Sequence, residues 1–222
     1  MLAGAEHRHV LSGGLRAVVD IGANRGQFAL AAREWAPTAR VIAFEPLPGP
    51  ASIFRRVFEG DDQVSLHQVA IGSKSQQRTM HISGRDDSSS LLPISSVQST
   101  IFPGTAEVST TEVMVGPLSE FVAEDDIESP AMLKLDVQGF EKEALIGCES
   151  LLSRFHLVYC ECSFLELYSG QKLAPEIIDW LSSRGFGVIG VFNSTYDQDG
   201  RAVQADFLFG PWEKSRTPQA SK

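Results

Sequence analysis

The feature that most constrains the fold is a regular alternation of strand-like and helix-like segments between residues 16 and 193. Short apolar runs, such as residues 17–22 and 40–45, each end at a turn and are followed by a segment of helical pattern. Such alternation is typical of parallel strands joined by crossover helices. The sequence therefore predicts an α/β fold with a doubly wound, mostly parallel sheet.

The predicted elements follow one another at short intervals. Strands are predicted at residues 17–22, 40–45, 64–71, 131–137, 156–164, 186–192 and 205–209. Helices are predicted at residues 27–35, 51–59, 140–154 and 175–184. The last strand is expected to return by a hairpin from a turn at residues 197–200.

Residues 73–130 interrupt this order. They contain two predicted short strands, at residues 78–83 and 109–115, on either side of a serine-rich loop. A long loop inside a compact domain is usually functional or disordered. This inserted segment of strands and loop is therefore expected to cover a ligand site. The chain is then divided into a leader at residues 1–15, a single domain at residues 16–211 and a disordered polar tail at residues 212–222.

Charge and hydropathy narrow the classes of partner and location. The formal net charge of −9 disfavours binding of nucleic acid through its phosphates, which requires a basic surface. No apolar stretch approaches the roughly 20 residues that span a bilayer, and the start of the chain lacks the apolar run of a signal peptide. Cys148, Cys160 and Cys162 form no complete metal or disulfide pattern and are expected to be buried thiols. A soluble cytoplasmic protein is predicted.

The turn after the first strand is the first candidate ligand site, because ligands of doubly wound folds bind at the carboxyl ends of strands. Gly22 and Gly26 allow the backbone to pass close to a ligand. Asn24 stands where the dinucleotide fingerprint has its second glycine, and Asp20 adds a negative charge, so a sulfonium or amino group suits this turn better than a pyrophosphate. Glu45 ends the next strand and can accept hydrogen bonds from both ribose hydroxyls of a nucleoside.

With these residues in place, the chain resembles the FkbM family of S-adenosylmethionine-dependent methyltransferases over nearly all of residues 17–190. The matching motifs are D-x-G-A-N-x-G at residues 20–26, F-E-P at 44–46, A-[LI]-G at 70–72, a serine pair at 89–90 and K-[IL]-D-[VI]-[EQ]-G-x-E at 134–141. Each motif alone is weak, but the combination is specific. The resemblance implies a Rossmann-like methyltransferase sheet that binds S-adenosyl-L-methionine.

The resemblance also implies which residues bind the cofactor. They are Asp20, Gly22, Ala23, Asn24, Gly26, Phe28, Glu45, Pro46, Ala70, Ser89, Ser90 and Asp136. The chain departs from the family at Gln138, where Glu is frequent, which removes one charge at the mouth of the site. The third strand also ends without an Asp to hold the adenine amino group, so the backbone near Ala70 is expected to serve instead.

Three carboxylates are candidates for the chemical step. Asp136 and Glu161 lie at the ends of the fourth and fifth parallel strands and are expected at the same edge of the sheet, with Glu141 one turn into the next helix. Methyl transfer to an alcohol depends on alignment and benefits from a base, and clustered carboxylates raise at least one pKa toward a useful value. His81 is a further residue that could reach the acceptor. The three carboxylates could also hold magnesium, but no dedicated metal pattern supports this, and no metal site is predicted.

The predicted function is an O-methyltransferase acting on a hydroxyl of a sugar or a secondary metabolite. The O-methyl chemistry is implied by the resemblance, whereas the residues alone indicate only methyl transfer. The alternatives are a non-catalytic S-adenosylmethionine-binding or scaffold protein and, disfavoured by Asn24, a nicotinamide oxidoreductase. The expected partner is a small-molecule or saccharide acceptor, selected by the loop at residues 84–117, and the oligomeric state stays open.

Overall fold

A computed structural model describes residues 7–212 of the chain. Its strands are β1 (Ala17–Ile21), β2 (Arg40–Phe44), β3 (Val64–His67), β4 (Ala70–Ile71), β5 (Gln76–Ser83), β6 (Glu107–Gly116), β7 (Ala131–Leu135), β8 (Leu157–Ser163), β9 (Phe186–Tyr196) and β10 (Ala202–Pro211). Its α-helices are α1 (Arg8–Leu11), α2 (Gln27–Trp35), α3 (Pro48–Val57), α4 (Ser96–Ile101), α5 (Glu141–Gly147) and α6 (Ala174–Ser182). Short 3₁₀ turns lie at Asp86–Ser88, Leu118–Glu120, Glu124–Asp126 and Glu149–Arg154.

Seven strands form the main sheet in the order β3-β2-β1-β7-β8-β10-β9. β10 runs antiparallel to both of its neighbours, and the other neighbouring pairs are parallel. This arrangement confirms the predicted doubly wound α/β sheet. The strand order reverses between β1 and β7, which is where such folds form a ligand crevice.

Successive residues of the central strands pack into two different cores, because neighbouring side chains of a strand point to opposite faces. In β1, Val19 and Ile21 pack into the core that contains α5 and α6, whereas Val18 packs into the core that contains α1, α2 and α3. All five residues of β1 are buried. Burial on both faces explains why this strand is apolar at every position except Asp20 and does not alternate between apolar and polar residues.

The single strand predicted over residues 64–71 is wrong, because its two halves belong to different sheets. β3 pairs with β2 at the edge of the main sheet. Ala70 and Ile71 of β4 instead pair with Val115 and Gly116 of β6, and β6 pairs with β5 to complete a second sheet of three strands. The partner that separates the two halves comes from the insertion, so the local apolar pattern could not reveal the division.

The insertion at residues 73–130 contains the predicted pair of strands, which are confirmed as the antiparallel β5 and β6. α4 and the 3₁₀ turn at Asp86–Ser88 lie in the segment between them that was expected to be a loop. The hairpin of β9 and β10 is also confirmed, with its turn at residues 197–200.

The described part of the predicted leader packs on the main sheet. Val10, Leu11 and Leu15 are buried in the same core as α2. Residues 1–6 and 213–222, which hold the rest of the predicted leader and nearly all of the predicted tail, lie outside the described residues. Within residues 7–212, no helix combines the length and the apolar character needed to cross a membrane.

Candidate active site

Two adjacent cavities lie at the carboxyl ends of the central strands. The switch-point cavity has a volume of about 220 Å³ and is lined by residues at the ends of β1, β2 and β7 and by residues of the insertion. The insertion cavity has a volume of about 250 Å³ and is lined by residues of the insertion, β8 and β10. Asp87, Asp136 and Gln138 line both cavities, so the two cavities adjoin at these residues.

The turn after β1 forms one wall of the switch-point cavity. The N–H groups of Gly22 and Ala23 donate to the Phe44 carbonyl at the end of β2, at 3.0 and 2.9 Å. Gly22 has a φ of +79°, and a Cβ there would lie 1.9 Å from the Asp136 carbonyl oxygen. Only glycine therefore allows the ends of β1 and β7 to approach this closely. Gly22, Ala23 and Asn24 all line the cavity.

Two predicted cofactor residues, Gly26 and Asp20, line neither cavity. Gly26 has a φ of +95°, and a Cβ there would lie 2.6 Å from the Phe58 ring, so this glycine allows close packing of α2 on the end of α3. Asp20 lies in β1 with its side chain fully buried. Any influence of Asp20 on a ligand must therefore act through a neighbouring side chain.

Glu45 follows β2 and lines the switch-point cavity. Its Oε2 accepts a hydrogen bond from the Asn24 N–H at 3.0 Å, and its Oε1 accepts one from the Leu47 N–H at 2.7 Å. Burial raises the pKa of the Glu45 carboxyl to about 7, against the opposing effect of these two hydrogen bonds. Each carboxylate oxygen has a second lone pair, so Glu45 can still accept hydrogen bonds from a ligand.

Lys134 on β7 lines the same cavity and links two acidic side chains. Its Nζ lies 2.9 Å from Asp20 Oδ1 and 4.0 Å from Asp136 Oδ2, and it donates to the Gly22 carbonyl at 2.9 Å. Burial alone would lower the pKa of Lys134, but the two carboxylates outweigh burial and hold this pKa above its usual value. Sequence reasoning assigned Lys134 no role of its own, although it stands two residues before Asp136 in the motif at residues 134–141.

Asp136 and Glu161 lie close together, joined by the side chain of Gln138. Gln138 Nε2 donates to Asp136 Oδ1 at 2.7 Å and to Glu161 Oε2 at 3.1 Å. Gln204 Nε2 donates to the other Glu161 oxygen, Oε1, at 2.7 Å. Burial, followed by the nearby carboxylates of Asp136 and Asp206, raises the pKa of Glu161 well above its usual value. The expected proximity of the two carboxylates is confirmed, and their chemical roles stay predictions.

Glu141, the third predicted carboxylate, lines neither cavity. Its Oε1 accepts hydrogen bonds from the N–H groups of Val137 and Gly139, at 3.3 and 3.0 Å. Burial raises the pKa of Glu141 to about 7. This side chain therefore holds the turn that carries Gln138 and is not brought to the place where a substrate could bind.

The insertion covers the switch-point cavity and is tied to the glycine turn by hydrogen bonds. Asn24 Nδ2 donates to the Asp86 carbonyl at 3.1 Å, and Arg25 Nε donates to the Asp86 carboxylate at 2.7 Å. The Tyr168 hydroxyl donates to the Ser88 carbonyl at 3.1 Å. These contacts place the Asp86–Ser88 turn beside both cavities.

The two predicted serines have different positions. Ser89 lines the switch-point cavity. Ser90 lines neither cavity, and its hydroxyl donates to the Gln138 carbonyl at 2.6 Å. His81, the residue expected to reach an acceptor from the insertion, instead has its Nδ1 2.8 Å from Glu107 Oε2 and lines neither cavity.

An apolar wall closes another side of the switch-point cavity. Leu47, Met80, Leu91 and Phe140 form it, in one hydrophobic cluster with the predicted residue Ala70. Sequence reasoning assigned no site role to Leu47, Met80 or Phe140, because they come from separate elements and meet only in the folded chain. The predicted residues that do line this cavity are Gly22, Ala23, Asn24, Phe28, Glu45, Pro46, Ala70, Ser89 and Asp136.

Comparison with known sequences identifies related proteins. The profile described as Methyltransferase FkbM domain matches residues 20–188. The chain is 30% identical over 202 residues to the 2-O-methyltransferase NoeI of Sinorhizobium fredii, covering 86% of this chain and 77% of that protein. It is 28% identical over 203 residues to the 31-O-demethyl-FK506 methyltransferase FkbM of Streptomyces tacrolimicus, covering 78% of this chain and 73% of that protein.

Solved structures with a similar fold are more distant in sequence. An rRNA methylase from Streptococcus thermophilus superposes with a TM-score of 0.52 at 11% identity, over 95% of this chain and 98% of that chain. The precorrin-6y C5,15-methyltransferase of Geobacter metallireducens superposes with a TM-score of 0.50 at 12% identity, over 95% of this chain and 89% of that chain. At such low identity these similarities establish the fold alone.

Proposed function

Since the chain belongs to the FkbM methyltransferase family, we propose that it methylates a hydroxyl group of a sugar or a secondary metabolite. The chain is an S-adenosylmethionine-dependent O-methyltransferase, and the class of acceptor is the proposed part. Two relatives support a small hydroxylated acceptor, since one is named a 2-O-methyltransferase and the other a 31-O-demethyl-FK506 methyltransferase. The family match sets aside the scaffold protein and the oxidoreductase.

The switch-point cavity has the chemistry that S-adenosylmethionine requires. Its apolar wall, with Met80 and Phe140, suits the adenine ring, and the remaining lone pairs of Glu45 suit the ribose hydroxyls. Bound S-adenosylmethionine supplies an electrophilic methyl group on a positively charged sulfur. Gly22 lines this cavity, and its carbonyl, which accepts one hydrogen bond from Lys134, keeps a second lone pair that can accept from the amino group of the amino-acid end.

The observation that carries the proposal is the position of Asp136 between the two cavities. A hydroxyl held in the insertion cavity can pass its proton to the Asp136 carboxylate as its oxygen takes up the methyl group that bound S-adenosylmethionine would supply. Gln138 holds Oδ1 of Asp136 by a hydrogen bond. Glu161, which accepts a hydrogen bond from the same amide, is the second candidate to accept the proton of the hydroxyl.

The charge of the site supports the proposal that nucleic acid is not the acceptor. The net charge of the chain is −9, and among the described residues that line the insertion cavity, three are acidic (Asp87, Asp136 and Glu161) and one, Arg85, is basic. Polyanions bind poorly to such a surface. A reducing, cytoplasmic location is proposed as well, and it is supported by the three cysteines, which are all free and buried.

Product analysis tests this function. Purified protein is titrated with S-adenosylmethionine and with NAD by calorimetry, and is then incubated with isotope-labelled S-adenosylmethionine and a panel of hydroxylated compounds. We expect binding of S-adenosylmethionine only and a labelled methyl group on an oxygen atom, located by heteronuclear NMR. A product labelled only on nitrogen, sulfur or carbon would overturn the proposed function.

A further inference from the structure

We propose that the insertion cavity is the acceptor subsite and that it is built for an uncharged saccharide, in preference to an apolar alcohol or a phosphorylated sugar. This inference rests on the proposed function, because it assumes that the methyl group arrives from the switch-point cavity. The shared wall of Asp87, Asp136 and Gln138 is what makes a transfer between the two cavities geometrically direct.

A buried amide without a partner points to a hydroxylated ligand. Gln98 on α4 lines the insertion cavity, and the residue is only 3% exposed. Its Oε1 is buried and has no hydrogen-bond partner among residues 7–212. A buried acceptor left without a donor destabilises a protein, so such groups usually have a partner in the working state. A ligand hydroxyl supplies the missing donor.

Hydrogen bonds hold the backbone around Gln98 in place, so the position of its side-chain amide in the cavity wall is fixed. The Ser95 hydroxyl caps α4 by accepting from the Gln98 N–H at 3.3 Å. Thr105, which also lines the cavity, directs its hydroxyl to the carbonyl oxygens of Phe102 and Gln98, at 2.7 and 3.4 Å. The loop from α4 to Thr105 is therefore fixed relative to the cavity.

The remaining lining favours a sugar ring over an apolar ring. Glu161 is held between Gln138 and Gln204, so planar polar groups are already oriented at this wall. A sugar hydroxyl both donates and accepts, and it can bind carboxylate and amide groups at the same time. Phe102 offers an aromatic surface to the C–H groups of a sugar ring, and it is the only hydrocarbon side chain among the described residues that line this cavity. An apolar polycyclic or macrocyclic alcohol would leave the polar groups without partners, which is unfavourable.

Charge excludes an anionic acceptor. Among the described residues that line this cavity, Asp87 and Asp136 outnumber the one cation, Arg85, and the Arg85 guanidinium is already paired with Asp87 at 3.0 Å. A phosphate or uronate group in this cavity would meet repulsion from at least one carboxylate, and like-charge contacts are costly where water is partly excluded. An uncharged saccharide avoids this cost.

The test uses ligands matched in shape and differing in charge or polarity. Methyl glycosides of glucose, galactose and mannose, the corresponding sugar 1-phosphates and the apolar alcohol cyclohexanol are offered to the full chain. Binding to protein saturated with S-adenosylhomocysteine is measured by saturation-transfer NMR, and methyl transfer is measured by release of S-adenosylhomocysteine. We expect at least one neutral glycoside to bind and to be methylated on oxygen, with the 1-phosphates and cyclohexanol at least about 10-fold poorer.

Variants of α4 connect the result to this cavity. Gln98→Leu removes the amide at similar volume and is expected to raise KM for the glycoside about 3- to 10-fold, the scale of one or two hydrogen bonds. Affinity for S-adenosylmethionine should not change. Val97→Ala on the exposed side of the same helix is the control and should behave as the wild type. If Gln98→Leu does not fold, Phe102→Leu is expected to raise KM in the same way.

The outcomes separate this inference from the proposed function. If cyclohexanol or a sugar phosphate is methylated on oxygen and the neutral glycosides do not bind, the saccharide subsite is wrong and the O-methyltransferase function stands. If folded Gln98→Leu and Phe102→Leu both keep the wild-type KM, the insertion cavity is not the acceptor subsite. If no compound is methylated on oxygen and the labelled methyl group is found on nitrogen, sulfur or carbon, the proposed function itself fails.

Discussion

At the scale of single residues, the site is a set of acidic groups whose neighbours differ. Asp136 lies between two cavities and is held by one amide, whereas Asp20 is enclosed and paired with Lys134. Glu45 lies in a cavity wall with two backbone N–H donors. Because the same carboxyl group has different neighbours in each place, the three residues are expected to respond differently to substitution.

Replacement of Asp136 by Asn should reduce turnover without loss of cofactor. Asn keeps the shape of the side chain but cannot accept the acceptor proton, and a general base typically contributes about 10²- to 10⁴-fold to the rate. We expect kcat to decrease by that factor while calorimetry gives nearly unchanged affinity for S-adenosylmethionine. Asp125→Asn, at an exposed site, is the control. Normal turnover in Asp136→Asn would mean that Asp136 has only a structural role. Loss of cofactor binding would mean that Asp136 binds the cofactor instead of acting as the base.

Replacement of Glu45 by Ala should weaken cofactor binding. Hydrogen bonds to a charged group contribute about 1.5–3 kcal/mol, so we expect the Kd for S-adenosylmethionine to rise about 10- to 150-fold. The pKa of about 7 for Glu45 adds a pH dependence, since the ionised carboxylate is the better acceptor for ribose hydroxyls. Affinity of the wild type should therefore increase from pH 6 to pH 8, and this increase should disappear in Glu45→Gln. Glu59→Ala, outside both cavities, serves as the control; equal affinity of wild type and Glu45→Ala would refute the ribose assignment.

At the scale of elements, the site depends on turns that follow parallel strands. The turn after β1 is held by the Phe44 carbonyl, and the turn after β7 is held by Glu141 at the start of α5. The insertion then closes over both turns, through Asp86 on the first and Ser90 on the second. Each turn is therefore stabilised by an element that is distant in sequence.

The turn after β7 should make stability dependent on pH. The pKa of Glu141 is about 7 in the folded chain and near 4.5 when unfolded, so the folded state binds this proton more tightly. Its contribution to stability is fully present below pH 4.5 and is lost as pH rises through 7, a change of about 3 kcal/mol. Glu141→Gln keeps the acceptor oxygen and removes the titration.

Urea unfolding at pH 5 and pH 8 measures this effect. We expect the free energy of unfolding of the wild type to be lower at pH 8 than at pH 5. In Glu141→Gln this decrease should be smaller by about 3 kcal/mol. Glu143→Gln, a partly exposed residue on the same helix, should retain the wild-type difference. Equal pH dependence of wild type and Glu141→Gln would exclude Glu141 as its source.

The cover formed by the insertion should become more rigid when the cofactor site is filled. Ser89 and Leu91 line the switch-point cavity, so a bound nucleoside adds contacts to this segment, as lids over active sites do. We expect hydrogen exchange of residues 88–92 to slow on addition of S-adenosylhomocysteine, while exchange at the turn of residues 197–200 stays the same. Equal exchange of residues 88–92 in both states would rule out a lid.

At the scale of the whole molecule, the switch-point cavity lies where the two halves of the main sheet meet. Residues from β1, β2 and β7 and from the insertion contribute to one cavity, so a ligand there contacts segments from most of the chain. Binding at such a place is coupled to global unfolding, because the site exists only when all of these segments are folded.

The cofactor product should therefore stabilise the whole chain. At a free concentration 100 times its Kd, S-adenosylhomocysteine is expected to increase the free energy of unfolding by about 2.7 kcal/mol. NAD at the same concentration should leave it unchanged. Urea unfolding monitored by tryptophan fluorescence and by circular dichroism measures both effects, and an equal increase with NAD would contradict the specificity assigned to the switch-point cavity.

The sequence by itself determined the fold class, the glycine turn, the position of Glu45 and the meeting of Asp136 with Glu161. Strand and helix periodicity is local, and the carboxyl ends of parallel strands meet at one edge whatever else the chain does. Only the tertiary structure decided that Asp20 is enclosed with Lys134, that Glu141 holds a turn, and that residues 64–71 are divided between two sheets. It also decided that a polar cavity lies beside the cofactor site, with Gln98 in its wall. These features depend on which distant segments pack together and on the space left between their side chains, and no spacing along the chain encodes either one directly.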